Sequence, residues 1–221
     1  MSKLVRAAST CLRAFINSTI VSGVSIVVVD IVVGCCAYSL AKLHPRWGSV
    51  IFNYFLVAVT IPISLCLVPI FFLWQKLGLM NTLLGLIILY CGTNIPFDVI
   101  FMRAFFVGIP TEVIESARLD GCNEPNIVLR IVVPMAKPAF FTISLLVGLG
   151  TWNEFFYANA FIQTDALRTV ATRYLAFVGQ YSSDWTMICA AGLITILPMT
   201  ILYFCFQRNF IEGLAAGSVK M

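Results

Sequence analysis

The stretch INSTIVSGVSIVVVDIVVGCCAYSL, which occupies residues 16–40, decides the fold of this chain. It is a long, mostly apolar run in which Asp30 is the only charged residue. A helix needs about 20 apolar residues to cross a hydrocarbon core about 30 Å thick. Four later stretches are also long and apolar enough to cross it: residues 49–73, 82–106, 138–156 and 186–206. The pattern therefore predicts an all-α integral membrane protein, a polytopic helical bundle with five spans.

The composition supports this class and argues against several others. The 221 residues are 60% hydrophobic and 11% charged, with a mean hydropathy of +0.96. Soluble domains are about 45–50% apolar and about 25% charged. No cluster of Lys and Arg indicates a nucleic-acid surface. We therefore expect membrane lipid, and no nucleic acid, around this chain.

The cysteines and the single histidine do not predict a metal or cofactor site. The eight cysteines lie mostly inside apolar runs, none forms a C-x-x-C pair, and His44 is the only histidine. Zinc sites need about four converging nitrogen or sulfur ligands. We therefore interpret the cysteines as small apolar packing residues. The chain also lacks the G-x-x-x-x-G-K-[ST] loop that cradles nucleotide phosphates, so we expect no ATPase, and no enzyme, in this chain.

The basic residues between the spans predict which way the chain crosses the membrane, because cytoplasmic loops carry an excess of Lys and Arg. One side is expected to hold Lys42, His44, Arg46, Arg103, Arg118, Arg130, Lys137, Arg208 and Lys220. The other side is expected to hold Lys76, Arg168 and Arg173, together with Lys3, Arg6 and Arg13. The first set is assigned to the cytoplasm, which leaves the three amino-terminal charges outside, against the rule.

Breaks in two spans predict either a solute path or a bend. Pro62 and Pro69 interrupt the second span, and Gly92 and Pro96 interrupt the third. Backbone groups freed by such breaks need partners from neighbouring helices or from a water-filled cavity. Packing alone is an equally good explanation of these residues.

The charged loop over residues 106–137 is expected to be cytoplasmic and structured. Thr111 can cap a short helix, with Glu112 in its first turn beside the positive end of the helix dipole. Gly121 stands where that helix would stop, since glycine adopts the left-handed cap without steric cost. Asn123 can then cap a second helix. The residues alone leave two interpretations open: a docking surface for another protein, or a solvated amphipathic loop.

A spaced motif in this loop resembles a known family. Glu115-Ser116-Ala117, three residues, Gly121, nine residues and then Ile131-Val132-Val133-Pro134 resemble the EAA loop of ABC importer permeases. That pattern has Ala where this chain has Ser116, and Leu where it has Val133. Both exchanges keep a small or apolar side chain. In that family the loop is the coupling helix, which sits in a cleft of the ATPase subunit.

The resemblance extends over nearly the whole chain and is to the maltose-type carbohydrate permeases. Each further match is short, and their order and spacing together are specific. The matching residues are Asn17-Ser18, Leu77-Gly78-Leu79, Asn81-Thr82, Phe105-Phe106, Ile109-Pro110, Trp152-Asn153-Glu154, Gly179-Gln180-Tyr181, Asp184-Trp185, Gln207-Arg208, Phe210, Gly213-Leu214, Ala216-Gly217 and Val219-Lys220.

This resemblance implies partners and a mechanism. The chain would be half of a permease heterodimer in the cell (inner) membrane, with two ATPase subunits below it and a soluble solute-binding protein above it. ATP binding would move the coupling helix, and the spans would expose the path alternately to each side. The family usually has six spans. Residues 1–15 then correspond to an external segment leading into the second family span, and residues 16–221 to the permease domain. Either an amino-terminal truncation or a natural five-span variant explains the difference, and truncation would also remove the conflict in charge.

The resemblance also assigns the residues of ATPase coupling. Glu115 is expected to hold the coupling helix in register by ion pairing across the interface with the ATPase, with Arg118 one turn away, and Gly121 to make the corner. The alternative is an ordinary capped surface helix. The full set is Glu115, Ser116, Ala117, Arg118, Asp120, Gly121, Ile131 and Pro134.

Four polar residues are candidates for the translocation path: Asp30, Asn94, Asn153 and Glu154. Asp30 lies near the middle of a span, where a charge is costly and usually faces a cavity or a partner; a protonated packing residue is the alternative. Asn153 and Glu154 can meet a sugar, anchor the span at the interface or contact a binding protein. Asp98 is expected to pair locally with Arg103.

Other functions remain open from the sequence alone. A permease for another solute, such as a glycerol-phosphate or an amino acid, is the nearest alternative. A phosphate ligand would favour a basic intramembrane pocket, and no Lys or Arg lies in the middle of a span. A membrane enzyme or a non-transporting receptor is the alternative from another class, but no nucleophile–base pair is evident within the spans.

Overall fold

The computed structural model describes residues 2–180 and 185–218, and over that part of the chain it is helical, without strands. Tyr181 and Asp184 of the expected external stretch, and Val219 and Lys220 of the tail, lie outside the described residues. The all-α fold predicted from the apolar stretches is confirmed.

The first apolar stretch forms one long helix. Helix α1 runs over Ser2–Tyr38 and continues through a π-helical turn over Ser39–Leu43. Residues 9–43 are apolar and long enough to cross a membrane as a single unbroken segment. His44 ends it in the left-handed conformation, with φ 48°.

The second stretch is helical but sharply bent. Helices α2 (Gly48–Thr60) and α3 (Leu67–Leu77) are joined by a 3-10 turn over Ile63–Cys66. The two arms meet at 89°. The break lies at Ile61 and Pro62. Pro62 has no backbone N–H to continue the helix, and it disfavours the helical conformation for the residue before it. The predicted interruption is therefore a true corner at Pro62, whereas Pro69 lies within α3.

The third stretch is continuous, contrary to the prediction. Helix α4 runs over Leu83–Val107 with Pro96 inside it, so neither Gly92 nor Pro96 breaks the helix. Proline removes one main-chain hydrogen bond, and a helix packed by its neighbours tolerates that loss.

The remaining helices are shorter until the last. The loop after α4 carries α5 (Thr111–Leu119), α6 (Glu124–Ile127), a π-helical turn over Val128–Val132 and α7 (Val133–Met135). Helix α8 (Lys137–Asn153) follows, turned by 79° from residues 124–135. Then come α9 (Phe156–Phe161), a 3-10 turn over Asp165–Leu167, α10 (Val170–Gln180) and α11 (Trp185–Ser218), which contains Pro198.

The described apolar helices agree with a multi-pass membrane protein. Two of them are long enough to cross a membrane alone, and two bent pairs reach that length together. Residues 188–204 of α11 are a further apolar segment. All five predicted spans therefore coincide with apolar helix, the second as a bent pair.

The chain forms two compact units, the first comprising residues 1–26, 63–91 and 146–205. In its core, Phe15 packs edge-on against Trp152, with ring centroids 5.3 Å apart. The Trp152 indole N–H donates to the Thr195 carbonyl, and that of Trp74 donates to the Gly85 carbonyl. Both tryptophans are buried, so these two rings serve the core.

The second unit comprises residues 27–62, 92–145 and 206–221. It contains an aromatic cluster of Tyr38, Phe106 and Phe140, one residue each from α1, α4 and α8. Phe106 lies 6.4 Å from the Tyr38 ring and 6.3 Å from the Phe140 ring, measured between centroids. Gly34 allows α1 to approach Phe140, because a Cβ there would lie 3.0 Å from the Phe140 Cζ. This cluster ties three helices together inside one unit.

Candidate functional site

Helix α5 has one buried and one exposed side. Ile114 and Ala117, three positions apart, are 1% and 7% exposed. Glu115 and Arg118 are exposed, and Leu119 is 89% exposed. Residues three or four apart share one face of a helix, so a short helix with this pattern rests on its own unit along one stripe. Its other face is available for contact.

The start of α5 differs from the prediction by one residue. Thr111 is the first helical residue, the N-cap is Pro110, and no side chain caps the helix. The predicted cap at Thr111 is therefore wrong. The Lys42 ammonium instead donates to the Ile109 carbonyl at 2.6 Å and approaches the Thr111 hydroxyl at 3.5 Å. The end of the first span thus holds the beginning of α5.

The end of α5 is the glycine corner that the sequence predicts. Gly121 has φ +80°, in the left-handed region. Its N–H donates to the Arg118 carbonyl at 3.0 Å, and the Cys122 N–H donates to the Ala117 carbonyl at 3.0 Å. This pair of bonds is the Schellman motif, which satisfies carbonyls that the helix end leaves free. The corner therefore depends on a backbone conformation that glycine adopts without strain.

The second helix of the loop starts as predicted. Asn123 is extended, with φ −79° and ψ 159°, and its side-chain oxygen accepts from the Asn126 N–H at 3.1 Å. Pro125 lies in the first turn, where its missing N–H costs nothing. Ile127 and Val132 are fully buried. The loop is therefore a structured pair of helices.

A carboxylate that the sequence analysis did not single out joins the two helices to the first span. Glu124 accepts from the Arg118 Nε at 2.7 Å with one oxygen and from the Tyr38 hydroxyl at 2.7 Å with the other. The Arg118 guanidinium, which hydrogen-bonds to it, lowers the pKa of the Glu124 carboxyl. The contribution of this pair is therefore present at neutral pH and is lost as the pH falls through the lowered pKa.

Arg118 has its ion-pair partner within this chain. It pairs with Glu124, across the glycine corner, and the described residues show no ion pair of Glu115. Glu115 is exposed. Its predicted role therefore depends on a partner outside this chain.

The other predicted coupling residues fall on the same loop. Ser116 donates back to the Glu112 carbonyl at 2.8 Å, and Asp120 is exposed at the end of α5. Ile131 is half-buried in the π-helical turn, and Pro134 is exposed in α7. All eight residues of the set belong to the second unit.

Two of the candidate path residues also lie in the second unit. Asp30 accepts from the Ser144 hydroxyl at 2.6 Å with one oxygen, while its other oxygen is buried without a hydrogen-bond partner among the described residues. Asn94 is half-buried on α4. One turn further along α4, Asp98 is 2% exposed, and its Oδ2 has no hydrogen-bond partner in the described part of the chain. The second unit therefore holds two carboxyl groups, those of Asp30 and Asp98, each with one buried oxygen that has no hydrogen-bond partner among the described residues.

The expected local pair of Asp98 with Arg103 is wrong. The Arg103 guanidinium carbon lies 4.3 Å from the centroid of the Phe52 ring, a cation–π contact. No ion pair joins Asp98 and Arg103 among the described residues. Asp98 is therefore a buried carboxyl that the sequence analysis did not include in the path.

The other two candidates, in the first unit, have different environments. Glu154 accepts from the Tyr90 hydroxyl at 2.6 Å and from the N–H groups of Tyr157 and Ala158 at 2.8 and 3.0 Å. Its carboxylate therefore caps α9 and holds α4. Asn153, one residue earlier, is exposed, and its amide donates along its own helix, to the Leu149 carbonyl.

The residues missed by sequence analysis are Tyr38, Lys42, Asp98 and Glu124. Glu124 follows Asn123 in the first turn of α6, where an acidic residue is favourable beside the helix dipole. That local reason hides its second role, because nothing in the sequence indicates that Tyr38 lies within hydrogen-bond reach 86 positions away.

The sequence of this chain is similar to the sequences of known transport proteins. A family described as "Binding-protein-dependent transport system inner membrane component" matches residues 30–215. The probable ABC transporter permease protein YurM of Bacillus subtilis is 34% identical over 206 residues, which are 93% of this chain and 69% of that protein. The diacetylchitobiose uptake system permease protein NgcG of Streptomyces coelicolor is 32% identical over 211 residues, 94% of this chain and 70% of that protein.

A solved structure shares the fold. It is the crystal structure of a bacterial ABC transporter involved in the import of the acidic polysaccharide alginate, with a TM-score of 0.80. The match covers 91% of this chain and 75% of that chain, at 24% sequence identity.

Proposed function

The chain belongs to the family of binding-protein-dependent transport system inner membrane components, and from that premise we propose that it imports a sugar together with separate ATPase subunits. It is a membrane-spanning permease component of an ABC transporter. The observation that carries the coupling role is the exposed face of α5 beside the glycine corner at Gly121. The proposed complex contains a second permease, two ATPases and a solute-binding protein in the cell membrane.

The shape of the loop supports docking of α5 into an ATPase cleft. Its buried stripe, Ile114 and Ala117, fixes the helix to its own unit. Leu119 stands almost fully exposed among charged residues, and the cores of protein interfaces are depleted of lysine and acidic side chains relative to the rest of the surface. The Schellman motif at Gly121 sets the direction in which this anchor points. We propose Glu115, Ser116, Arg118 and Asp120 as the polar surroundings of the contact.

Removal of the Leu119 anchor tests this contact. We expect Leu119→Ala to lower ATPase recovery with the chain about fivefold at limiting ATPase concentration, because truncating an apolar contact costs about 1 kcal/mol of binding. Leu77→Ala is the matched control, since Leu77 is 59% exposed at the end of α3 and belongs to the first unit. Equal ATPase recovery with both variants would exclude Leu119 as an anchor.

The sugar class rests on the relatives. NgcG is named for diacetylchitobiose uptake, and we propose a di- or oligosaccharide for this chain as well. Uptake of radiolabelled maltose, diacetylchitobiose and glycerol 3-phosphate would be compared in a host with the gene deleted and with the gene restored. Loss and recovery of sugar uptake alone is the expected outcome. Loss of glycerol-phosphate uptake alone would replace the sugar proposal with the phosphate one.

We propose that Asp30, Asn94 and Asn153 face the solute path. For Asp30 and Asn94, the supporting observation is incomplete internal hydrogen bonding around Asp30 and Asp98 in the second unit. For Asn153 it is exposure next to a buried tryptophan, Trp152. Glu154 contributes to the path indirectly, by positioning α9.

The decisive experiment is a gentle-detergent purification of the tagged chain from its native host, read by mass spectrometry. We expect an ATPase and a second permease with the unmodified chain, and loss of the ATPase after changes at Glu115 and Gly121. A chain recovered intact but alone, under conditions that keep other importers assembled, would contradict the proposed function.

A further inference from the structure

The strongest unassigned feature of the molecule is the double hydrogen bond of Glu124. Its two carboxylate oxygens serve donors on two different helices: Arg118 on α5 and Tyr38 on α1, each at 2.7 Å. Glu124 itself begins α6. One side chain therefore connects the proposed docking helix, the helix that follows it and the first span.

Stabilisation of the folded state does not explain this connection well. The side chains of Arg118 and Glu124 are each 40% exposed, and exposed ion pairs add little to stability because water screens them and side-chain entropy opposes them. What the pair does supply is geometry, since a carboxylate bonded on both oxygens fixes the distance between its two donors.

The far side of the connection is tightly packed. Tyr38 is 3% exposed and Phe106 is 1% exposed. The Tyr38 ring meets Phe106 edge-on, and Phe106 meets Phe140 in turn. Phe140 lies against Gly34, where there is almost no room for a further carbon atom. Close-packed interiors transmit displacement because they have little free volume in which to absorb it.

A second hydrogen bond ties the end of the first span to the beginning of α5. The Lys42 ammonium holds the beginning of α5 through the Ile109 carbonyl at 2.6 Å. Lys42 and Tyr38 lie one turn apart at the end of the same span, so α1 is attached near both ends of α5. A force on the exposed face of α5 therefore acts on α1 through two fixed points.

We propose that Arg118, Glu124 and Tyr38, the Glu124 link, carry the movement of α5 to the spans through the aromatic cluster of Tyr38, Phe106 and Phe140. The proposal rests on the proposed importer function and names its positioning residues. Glu124 acts through Tyr38 and need not touch the ATPase or the solute.

The sharpest variant is Tyr38→Phe, which removes one hydroxyl and leaves the ring in the aromatic cluster. Its matched control is Tyr90→Phe, which removes a buried hydroxyl that donates to a different carboxylate, Glu154, at 2.6 Å. Glu124→Gln is the second variant, because it keeps the shape of the side chain and removes its charge and one acceptor oxygen.

The experiment uses the complex of the chain with its second permease and ATPases, reconstituted in lipid nanodiscs. Cys35, which is exposed on α1 three residues before Tyr38, is the single cysteine retained. Two quantities are measured: the rate of Mg-ATP hydrolysis, and the change in the maleimide labelling rate of Cys35 on addition of Mg-ATP and vanadate.

We expect Tyr38→Phe and Glu124→Gln to keep Mg-ATP hydrolysis within about twofold and to reduce the nucleotide-dependent change in labelling about fivefold or more, the lower range of allosteric couplings. Tyr90→Phe should retain both quantities. An undiminished labelling change in Tyr38→Phe and Glu124→Gln would overturn the proposal, and so would an unmodified chain whose Cys35 does not respond to nucleotide. Failure of the unmodified chain to retain any ATPase would instead count against the proposed function.

Discussion

Gly121→Val is expected to abolish ATP-driven uptake while the chain still reaches the membrane at its normal level. At φ +80° the backbone of Gly121 is in the left-handed region, which costs an ordinary residue about 1–2 kcal/mol and a β-branched one more. A Cβ at Gly121 would meet nothing within 4 Å, so the cost is conformational rather than steric. Leaving that conformation breaks the Schellman motif and turns α5 away from α6. We expect ATPase recovery to fall at least about tenfold, measured by purification of the tagged complex.

Two variants separate the role of the corner from simple strain. Gly121→Asn should retain most of the ATPase, because asparagine visits the left-handed region more readily than other non-glycine residues. Gly78→Val is the matched control: Gly78 has φ +68°, and its N–H and that of Leu79 make the same two bonds, to the Gln75 and Trp74 carbonyls. Since Gly78 ends α3 and not α5, its variant should keep the ATPase. Normal uptake by Gly121→Val would remove the corner from the coupling mechanism.

Glu154→Ala is expected to produce the largest loss of stability among the candidate site residues. The substitution takes the carboxylate acceptor away from the buried Tyr90 hydroxyl and from two N–H groups at the start of α9. Each hydrogen bond to a charged group is worth about 1.5–3 kcal/mol. Water can replace part of the bonding to the two N–H groups, so we expect a loss of about 3–5 kcal/mol, seen as a thermal midpoint several degrees lower in detergent, and lower abundance in the membrane.

The neighbouring residue provides the control for this prediction. Asn153→Ala removes an exposed amide whose bond runs only to its own helix, so the thermal midpoint should hardly change. If Asn153 faces the solute, its variant will still lower sugar uptake. Equal thermal midpoints for the two variants would show that Glu154 does not hold α9, and would restore it as a direct solute contact.

Much of the fold is predictable because the membrane restricts the choices. Long apolar stretches can satisfy their backbone hydrogen bonds in lipid only as helices or closed barrels, and each predicted stretch coincides with helix. The third span was located to within a residue, at Leu83–Val107. The effect of Pro96 on this helix was not predictable from the sequence, because whether a proline breaks a helix depends on the neighbouring helices that pack against it.

The glycine corner was predictable for a local reason. Gly121 and Asn123 act through their own backbone or through atoms three residues away, and such preferences are written in a few adjacent residues. The predicted N-cap of α5, Thr111, was one residue too late, because Pro110 takes that position. The Ile109 carbonyl before α5 is held by Lys42, from a distant part of the chain.

By itself, the sequence determined that this protein is helical, lies in a membrane and carries the spaced motif of an importer permease around Glu115 and Gly121. Hydrophobic length and turn chemistry are local properties, so a chain read in order reveals them. The tertiary structure alone decided that Arg118 pairs with Glu124, that Glu124 reaches Tyr38, and that Asp98 stays apart from Arg103. The first two contacts join residues on separate helices, and Arg103 lies over the ring of Phe52, on α2, instead of pairing along its own helix. These partners are chosen by how the helices pack, which no short stretch of sequence encodes.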